Sequence, residues 1–191
     1  RNENWVYTLA TSGMYWGLLI AEVVLVIFLS ARINKMSFAT AGLMFAAYAI
    51  LNGATMSIIM LAYTAESIAQ AFFVTAGTFG AMSLVGFFIK KDLSAMGRTL
   101  MMALIGLIIA TLVNIFWQNS MMASILNYAG VIIFVALTAY DTQKIKVMLQ
   151  QAQYAGISDQ TNKLALMGSL TLYLDFINLF LYILRLFGNR K

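Results

Sequence analysis

The 191-residue sequence predicts an all-α integral membrane protein, folded as a helical bundle. Three observations carry that prediction. Hydrophobic residues make up 62% of the chain and charged residues 10%, with a mean hydropathy of +0.84, whereas a soluble domain carries about 25% charged residues. The apolar residues gather into six runs, each near the roughly 20 residues that a helix needs to cross a bilayer. Proline is absent, so no run is broken by that route. Backbone polar groups in lipid must be satisfied internally, which favours helices packed together. Residues 1–191 read as a single transmembrane domain.

The first run, A, extends from about Tyr7 to Leu29 and places Thr8, Thr11, Tyr15 and Glu22 roughly on one face. Run B, from about Phe38 to Tyr63, aligns Tyr48, Asn52 and Thr55. Run C, from about Ile68 to Ile89, aligns Thr75 and Thr78 and carries Gly77, Gly80 and Gly86, small residues expected where helices pack closely. Run D covers about Thr99 to Trp117, with Asn114 and Gln118 one turn apart. Run E covers about Met121 to Tyr140, where Thr138 lies three residues before Asp141. Run F covers about Leu164 to Phe187. The connection "KIKVMLQQAQYAGISDQTNK" is long enough to extend helix E beyond the membrane before a break at Gly156, with Ser158 as an N-cap for the next helix.

Basic residues set an orientation. Arg32 and Lys35 lie between A and B, Lys90, Lys91 and Arg98 between C and D, and Lys144, Lys146 and Lys163 between E and F, while the other two connections hold none. The positive-inside rule makes the three basic connections cytoplasmic and places Arg1 and the C-terminus outside. Arg185, Arg190 and Lys191 in the tail oppose that placement. A start outside, at an Arg rather than a Met, suits a chain whose first helix is missing, giving seven spans in the intact protein. Lys90, Lys91 and Asp92 read as an interfacial anchor.

The composition also limits the chemistry. Without Cys there are no disulfides or thiolates, and without His the usual neutral-pH switch and commonest metal ligand are gone. The net charge of +5 is distributed as topology signals, with no aromatic–basic segment of the kind that binds nucleic acid. Sensing of physiological pH then falls to carboxyl groups.

Asp175 interrupts "TLYLDFINLFLYILRLFG". A charged residue at a bilayer's centre costs about 2.5–3.5 kcal/mol on insertion scales and marks a functional site by default. Thr171, Asp175, Asn178, Tyr182 and Arg185 follow helical spacing and share one face of F, so F lies inside the bundle or lines a wet path. Asp141, closing "AGVIIFVALTAYD", is the second acid, near Lys144 and Lys146. Counting from Lys163 puts Asp175 roughly 18 Å into F, whereas Asp141 lies only a few residues inside Lys144, so the pairing of the two stays open. Should they meet, they cannot both ionise cheaply; one proton is shared. Its loss would push E and F apart and expose oxygen ligands suited to Ca²⁺.

The blocks "FVTAGTFGAMSLVGFFIKKDLSAMGRTLMMALIGLIIATLVNIF", "GVIIFVALTAYDTQKIK" and "LTLYLDFINLFLYILRLFG", together with "LNGATMS", resemble the transmembrane Bax inhibitor motif family, especially its bacterial branch. The resemblance implies a seven-helix bundle with the last helix central. It also implies a pH-sensitive Ca²⁺ leak in which an aspartate pair, Asp141 and Asp175 here, regulates opening, and a multi-pass protein of the bacterial inner membrane. Glu22 corresponds to an intramembrane Glu of the family. Arg32 is the nearest candidate for an Arg that latches an aspartate, although its spacing from Glu22 is one residue short. Asn178 and Arg185 are the remaining pore-lining candidates. The chain departs from the family in its longer E–F connection and in "NGAT", where many members have Gly-Pro.

No tightly bound cofactor is implied; lipid, protons and Ca²⁺ are the expected partners. The alternative is a regulatory membrane protein that binds a partner, such as a membrane protease, without transport. An intramembrane aspartyl protease would also need two acids, but Asp175 lies outside a Gly-x-Gly-Asp turn and a Pro-Ala-Leu motif is absent, so an enzyme is not expected. A proton-coupled carrier would be favoured by an inverted hydropathy repeat, which the sequence lacks.

Overall fold

The computed structural model describes residues 13–156 and 158–190. Among them are six α-helices: α1 (Gly13–Arg32), α2 (Phe38–Leu61), α3 (Ala65–Phe88), α4 (Ser94–Trp117), α5 (Ser120–Tyr154) and α6 (Ser158–Phe187), with a 3-10 turn at Ile33–Lys35 after α1. The helices α2 to α6 are long and apolar enough to cross a membrane. The expectations for Arg1, Thr8 and Thr11 lie outside the described residues, as do those for the Tyr15 and Ser158 side chains.

Local chemistry sets the helix ends. The Ser37 hydroxyl accepts from Thr40 N–H (3.1 Å), Thr64 from Ser67 N–H (3.3 Å) and Asn119 Oδ1 from Met122 N–H (2.9 Å), satisfying donors that the first turns of α2, α3 and α5 leave unpaired. Before α4, Asp92 Oδ1 accepts from Ser94 N–H (2.9 Å) and Ser94 Oγ (2.6 Å). Those hydrogen bonds hold the exposed Asp92 carboxyl below the usual carboxylate range. Asn114 and Gln118, one turn apart, form the stop signal of α4. Gln118 is left-handed (φ 49°) and donates to the Asn114 carbonyl (2.8 Å), while Asn119 N–H donates to Asn114 Oδ1 (3.1 Å). Gly156, at φ +70°, ends the extended α5 where the sequence placed the break.

The helices α5 and α6 form an antiparallel hairpin and the most extensive contact in the molecule. Onto it pack α3, against both members, and α4, against α5; α1 pairs with α2, which reaches α6. Helix α6 thus joins two groups of helices, and it carries the most buried of the candidate spans. One apolar cluster includes Leu107, Phe134, Leu137, Leu179 and Leu184; the other joins Leu29, Ile33, Ala41, Tyr48 and Leu170. Outside, Leu43, Ile50, Phe73 and Ile132 are exposed, as a lipid-facing surface requires.

Four glycines inside helices set close approaches, and at a fifth, Gly188, a Cβ would meet the Tyr63 ring. A Cβ on Gly86 would strike the Ala139 backbone; on Gly97 it would meet the Tyr140 ring, on Gly130 the Tyr182 ring, and on Gly168 the Ile145 side chain. Gly77 and Gly80, expected at close contacts, face open space instead. The C-terminus returns to the α2–α3 turn: Thr64 N–H donates to the Asn189 carbonyl (3.1 Å), Asn189 N–H to Ser67 Oγ (2.9 Å), and Arg190 pairs with Tyr63. It therefore lies at the opposite end of α3 from the basic α3–α4 turn.

Candidate functional site

Asp141 and Asp175 meet. Antiparallel α5 and α6 bring Gly130 to Tyr182 at one level and Ile145 to Gly168 at another, and Asp141 faces Asp175 between them. Depth counted from the lysines concealed this. α5 continues 13 residues past Asp141 to Tyr154, and α6 begins 17 residues before Asp175 at Ser158. At 1.5 Å per residue those lengths are about 20 and 26 Å, so both acids lie at similar distances from the hairpin tip.

The pair opens onto a cavity of roughly 440 Å³ between α4, α5 and α6. Thr171, Asp175, Asn178 and Tyr182, the stripe expected on F, line one side, with Asp141 and Lys144 from α5 beside them. Met101, Leu104 and Ile108 of α4 form the apolar wall. Asp175 is 4% exposed, yet its Oδ2 has no conventional hydrogen-bond donor among the described residues. The facing group is another carboxyl, so a hydrogen bond forms there only when one acid carries a proton. An unprotonated pair places two anions against each other in a weakly solvated site. Asn178 commits its amide nitrogen to the Leu174 carbonyl (2.8 Å), which leaves the amide oxygen as the group it can offer to a cation.

Two side chains fix the pair's surroundings: Gln143, which the sequence did not single out, and Lys146, which it marked only as a basic residue near Asp141. Gln143, two residues after Asp141, accepts from Leu93 N–H (2.9 Å) and donates to the Lys91 carbonyl (2.9 Å), tying α5 to the α3–α4 turn. Lys146 donates to the Phe87 carbonyl (2.7 Å) while lying over the Phe87 ring. A polar side chain one turn beyond an apolar run is a weak signal, and nothing in its spacing identifies a loop some 50 residues away as its partner.

Glu22 lies elsewhere. It is buried between α1 and α2, where Asn52 Nδ2 donates to Oε2 (3.2 Å) and the Thr55 hydroxyl donates to Oε1. Tyr173 of α6 donates to Asn52 Oδ1 (3.0 Å), so α6 touches this cluster one helical face away from Asp175. The aligned Asn52 and Thr55 were legible in B. Tyr173, off the polar stripe, was missed, although a tyrosine hydroxyl at membrane depth signals a buried partner. Neither arginine candidate joins the aspartates: Arg32 is exposed over the Phe28 ring at the end of α1, and Arg185 is exposed over Tyr182.

The arrangement defines a polytopic helical membrane protein whose central hairpin encloses a facing pair of carboxyl groups. The chain belongs to the Bax inhibitor-1-like family, whose model, described as "Inhibitor of apoptosis-promoting Bax1", matches residues 4–191. The inner membrane protein YbhL of Escherichia coli K12 is 52% identical over 175 residues, covering 92% of this chain and 74% of YbhL. An uncharacterized protein of Deinococcus radiodurans is 46% identical over 175 residues, covering 91% of this chain and 74% of its own length. One from Borreliella burgdorferi is 42% identical over 182 residues, covering 95% of this chain and 78% of its own length.

Proposed function

We propose that this protein is a proton-regulated Ca²⁺ leak of a bacterial inner membrane, gated by Asp141 and Asp175. The supporting observation is the Asp175 oxygen that is buried without a conventional donor and faces a second carboxyl across the α5–α6 contact. At low pH a shared proton joins the two helices. As pH rises the proton leaves, and two like charges about 4 Å apart repel by about 4 kcal/mol at an effective dielectric near 20. That changes a two-state equilibrium by roughly three orders of magnitude. The parted carboxylates, with the Asn178 amide oxygen nearby, are hard oxygen ligands of the kind Ca²⁺ takes. Residence in the inner membrane rests on the likeness to YbhL.

The test is Ca²⁺ flux into dye-loaded proteoliposomes from about pH 5 to 8, a range above the reference carboxyl values of about 4 that a shared proton extends. The wild type should show pH-dependent flux, and Asp141→Asn and Asp175→Asn should each remove that dependence. An unchanged profile in Asp175→Asn overturns the proposal.

A second reading has one observation of its own. The hairpin runs well past Lys144 and ends in Tyr154, whose side chain is 93% exposed. That tip suits a regulatory protein binding a membrane partner such as a protease, without transport. A stable complex lost on shortening the tip, together with absent flux, would select it.

A further inference from the structure

We propose that the α4–α5–α6 cavity binds an amphipathic organic monocation, an ammonium group carrying an apolar arm, in competition with the proton of the aspartate pair. The proposal deepens the reading above, since it assigns a ligand to the same carboxyl pair.

Shape gives the first argument. Helix α4 packs on α5 but scarcely touches α6, which leaves a groove floored by α5. Met101 and Ile108 on its α4 wall are each about half exposed, so the cavity opens sideways. Its size falls within the about 300–1,000 Å³ of small-molecule sites, which combine apolar walls with a few convergent polar groups. A fully hydrated ion gains nothing from Met101, Leu104 and Ile108. An apolar arm does, and it reaches the groove from the lipid side.

Charge gives the second. Asp175 is among the residues that line the cavity, and its Oδ2 is buried without a partner among the described residues. The charged and titratable groups around it are Asp141 and Lys144 from α5 and Tyr182 on its own helix. Among the described residues, α4 contributes only apolar side chains to the cavity; α3 meets α6 through Phe72 and Phe79 on Phe176, and α2 through Tyr48 and Asn52 at Tyr173. Two ionised aspartates and one lysine leave a single net negative charge. One proton neutralises it, and so does one monovalent cation, whereas a retained divalent ion would leave the site positive. Each cation bound therefore displaces one proton to solvent. Phe134 and Tyr182, stacked with centroids 5.7 Å apart, also line the cavity and extend the apolar surface open to the arm, while Arg185 lies over the Tyr182 ring.

The experiment measures binding of benzyltrimethylammonium to the full chain in neutral detergent by equilibrium dialysis, at pH 5, 6, 7 and 8. Its neutral isostere, neopentylbenzene, and tetramethylammonium, which lacks the arm, serve as comparison ligands. Affinity for benzyltrimethylammonium should rise about tenfold per pH unit while the pair holds its proton, and both comparison ligands should bind at least tenfold more weakly at pH 8. Asp175→Asn should weaken binding at least tenfold and flatten the pH dependence. Ile108→Trp, which fills the groove from the partly exposed α4 wall without touching an acid, should also block binding. Equal binding of the neutral isostere, or undiminished binding in both variants, overturns the proposal. Ca²⁺ flux in the same preparations separates the two readings. Flux with normal pH dependence but no ammonium binding sinks the ligand assignment alone, whereas pH-dependent ammonium binding without flux supports the ligand and sinks the leak.

Discussion

Glu22 and Asp175 are both buried acids in the helical bundle, and they differ in what surrounds them. Both Glu22 oxygens receive side-chain donors, from Asn52 and Thr55, and Tyr173 secures Asn52 from α6. Among the described residues, Asp175 has an oxygen without such a donor and another acid in front of it. The first site is complete as it stands and ties helices together. The second is complete only with something added, a proton or a cation. A buried carboxyl therefore does not by itself single out a site; the missing donor is what separates Asp175 from Glu22.

The largest difference should appear in stability. Glu22→Ala removes the acceptor shared by two buried donors, and each orphaned group costs about 1–3 kcal/mol. A loss of about 2–4 kcal/mol is expected in denaturant titrations of the purified protein. Asp175→Asn should change stability by less than about 1 kcal/mol, because the amide can donate to Asp141 in place of the proposed shared proton. Its effect should fall on the pH dependence of flux. Similar stability losses in both variants would erase the distinction between the two acids.

A smaller effect probes the cavity wall. Gly130→Ala drives a methyl group into the Tyr182 ring and should destabilise by about 1–3 kcal/mol, as overpacking does. Gly77→Ala, with open space around it, should be neutral or stabilising by up to about 1 kcal/mol through helix propensity. The same thermal-unfolding comparison measures both.

These two glycines also mark the limit of what the sequence discloses. Helical period gave the polar stripe of α6 and the aligned Asn52 and Thr55, because spacing within one helix is written in the chain. The face that a neighbouring helix approaches is not, so Gly77 and Gly80 looked equivalent to Gly86. The aspartate pairing is hidden for a related reason: lysines mark depth only near a helix end, while the register here depends on a hairpin tip beyond them. The one-turn spacing of Asn114 and Gln118 does not disclose a helix stop, because the left-handed turn at Gln118 leaves no mark in the helical period.

The next smaller effect tests whether the two acidic sites are independent. Tyr173→Phe removes the hydroxyl from Asn52 and should cost about 0.5–1.5 kcal/mol. Residues two apart on a helix do not share a face. In double-mutant cycles Tyr173→Phe should couple to Glu22→Gln, yet combine with Asp175→Asn additively within about 0.5 kcal/mol. Strong coupling to Asp175→Asn would mean that the complete site and the incomplete one act as one network.

The smallest effect comes from an acid outside the bundle. Asp92 is exposed in the α3–α4 turn and held below the usual carboxylate range by its hydrogen bonds to Ser94. Its contribution to stability is therefore present above the unfolded value of about 3.9 and disappears as pH falls through the lower folded value. Asp92→Ala should lower the unfolding midpoint slightly near pH 7, with the difference narrowing as acid protonates the wild-type carboxyl. Between pH 5 and 8 Asp92 stays ionised, so the flux profile of Asp92→Ala should match that of the wild type. A profile shifted in that window would place proton sensing in a water-exposed turn, and the orphaned oxygen of Asp175 would no longer explain it.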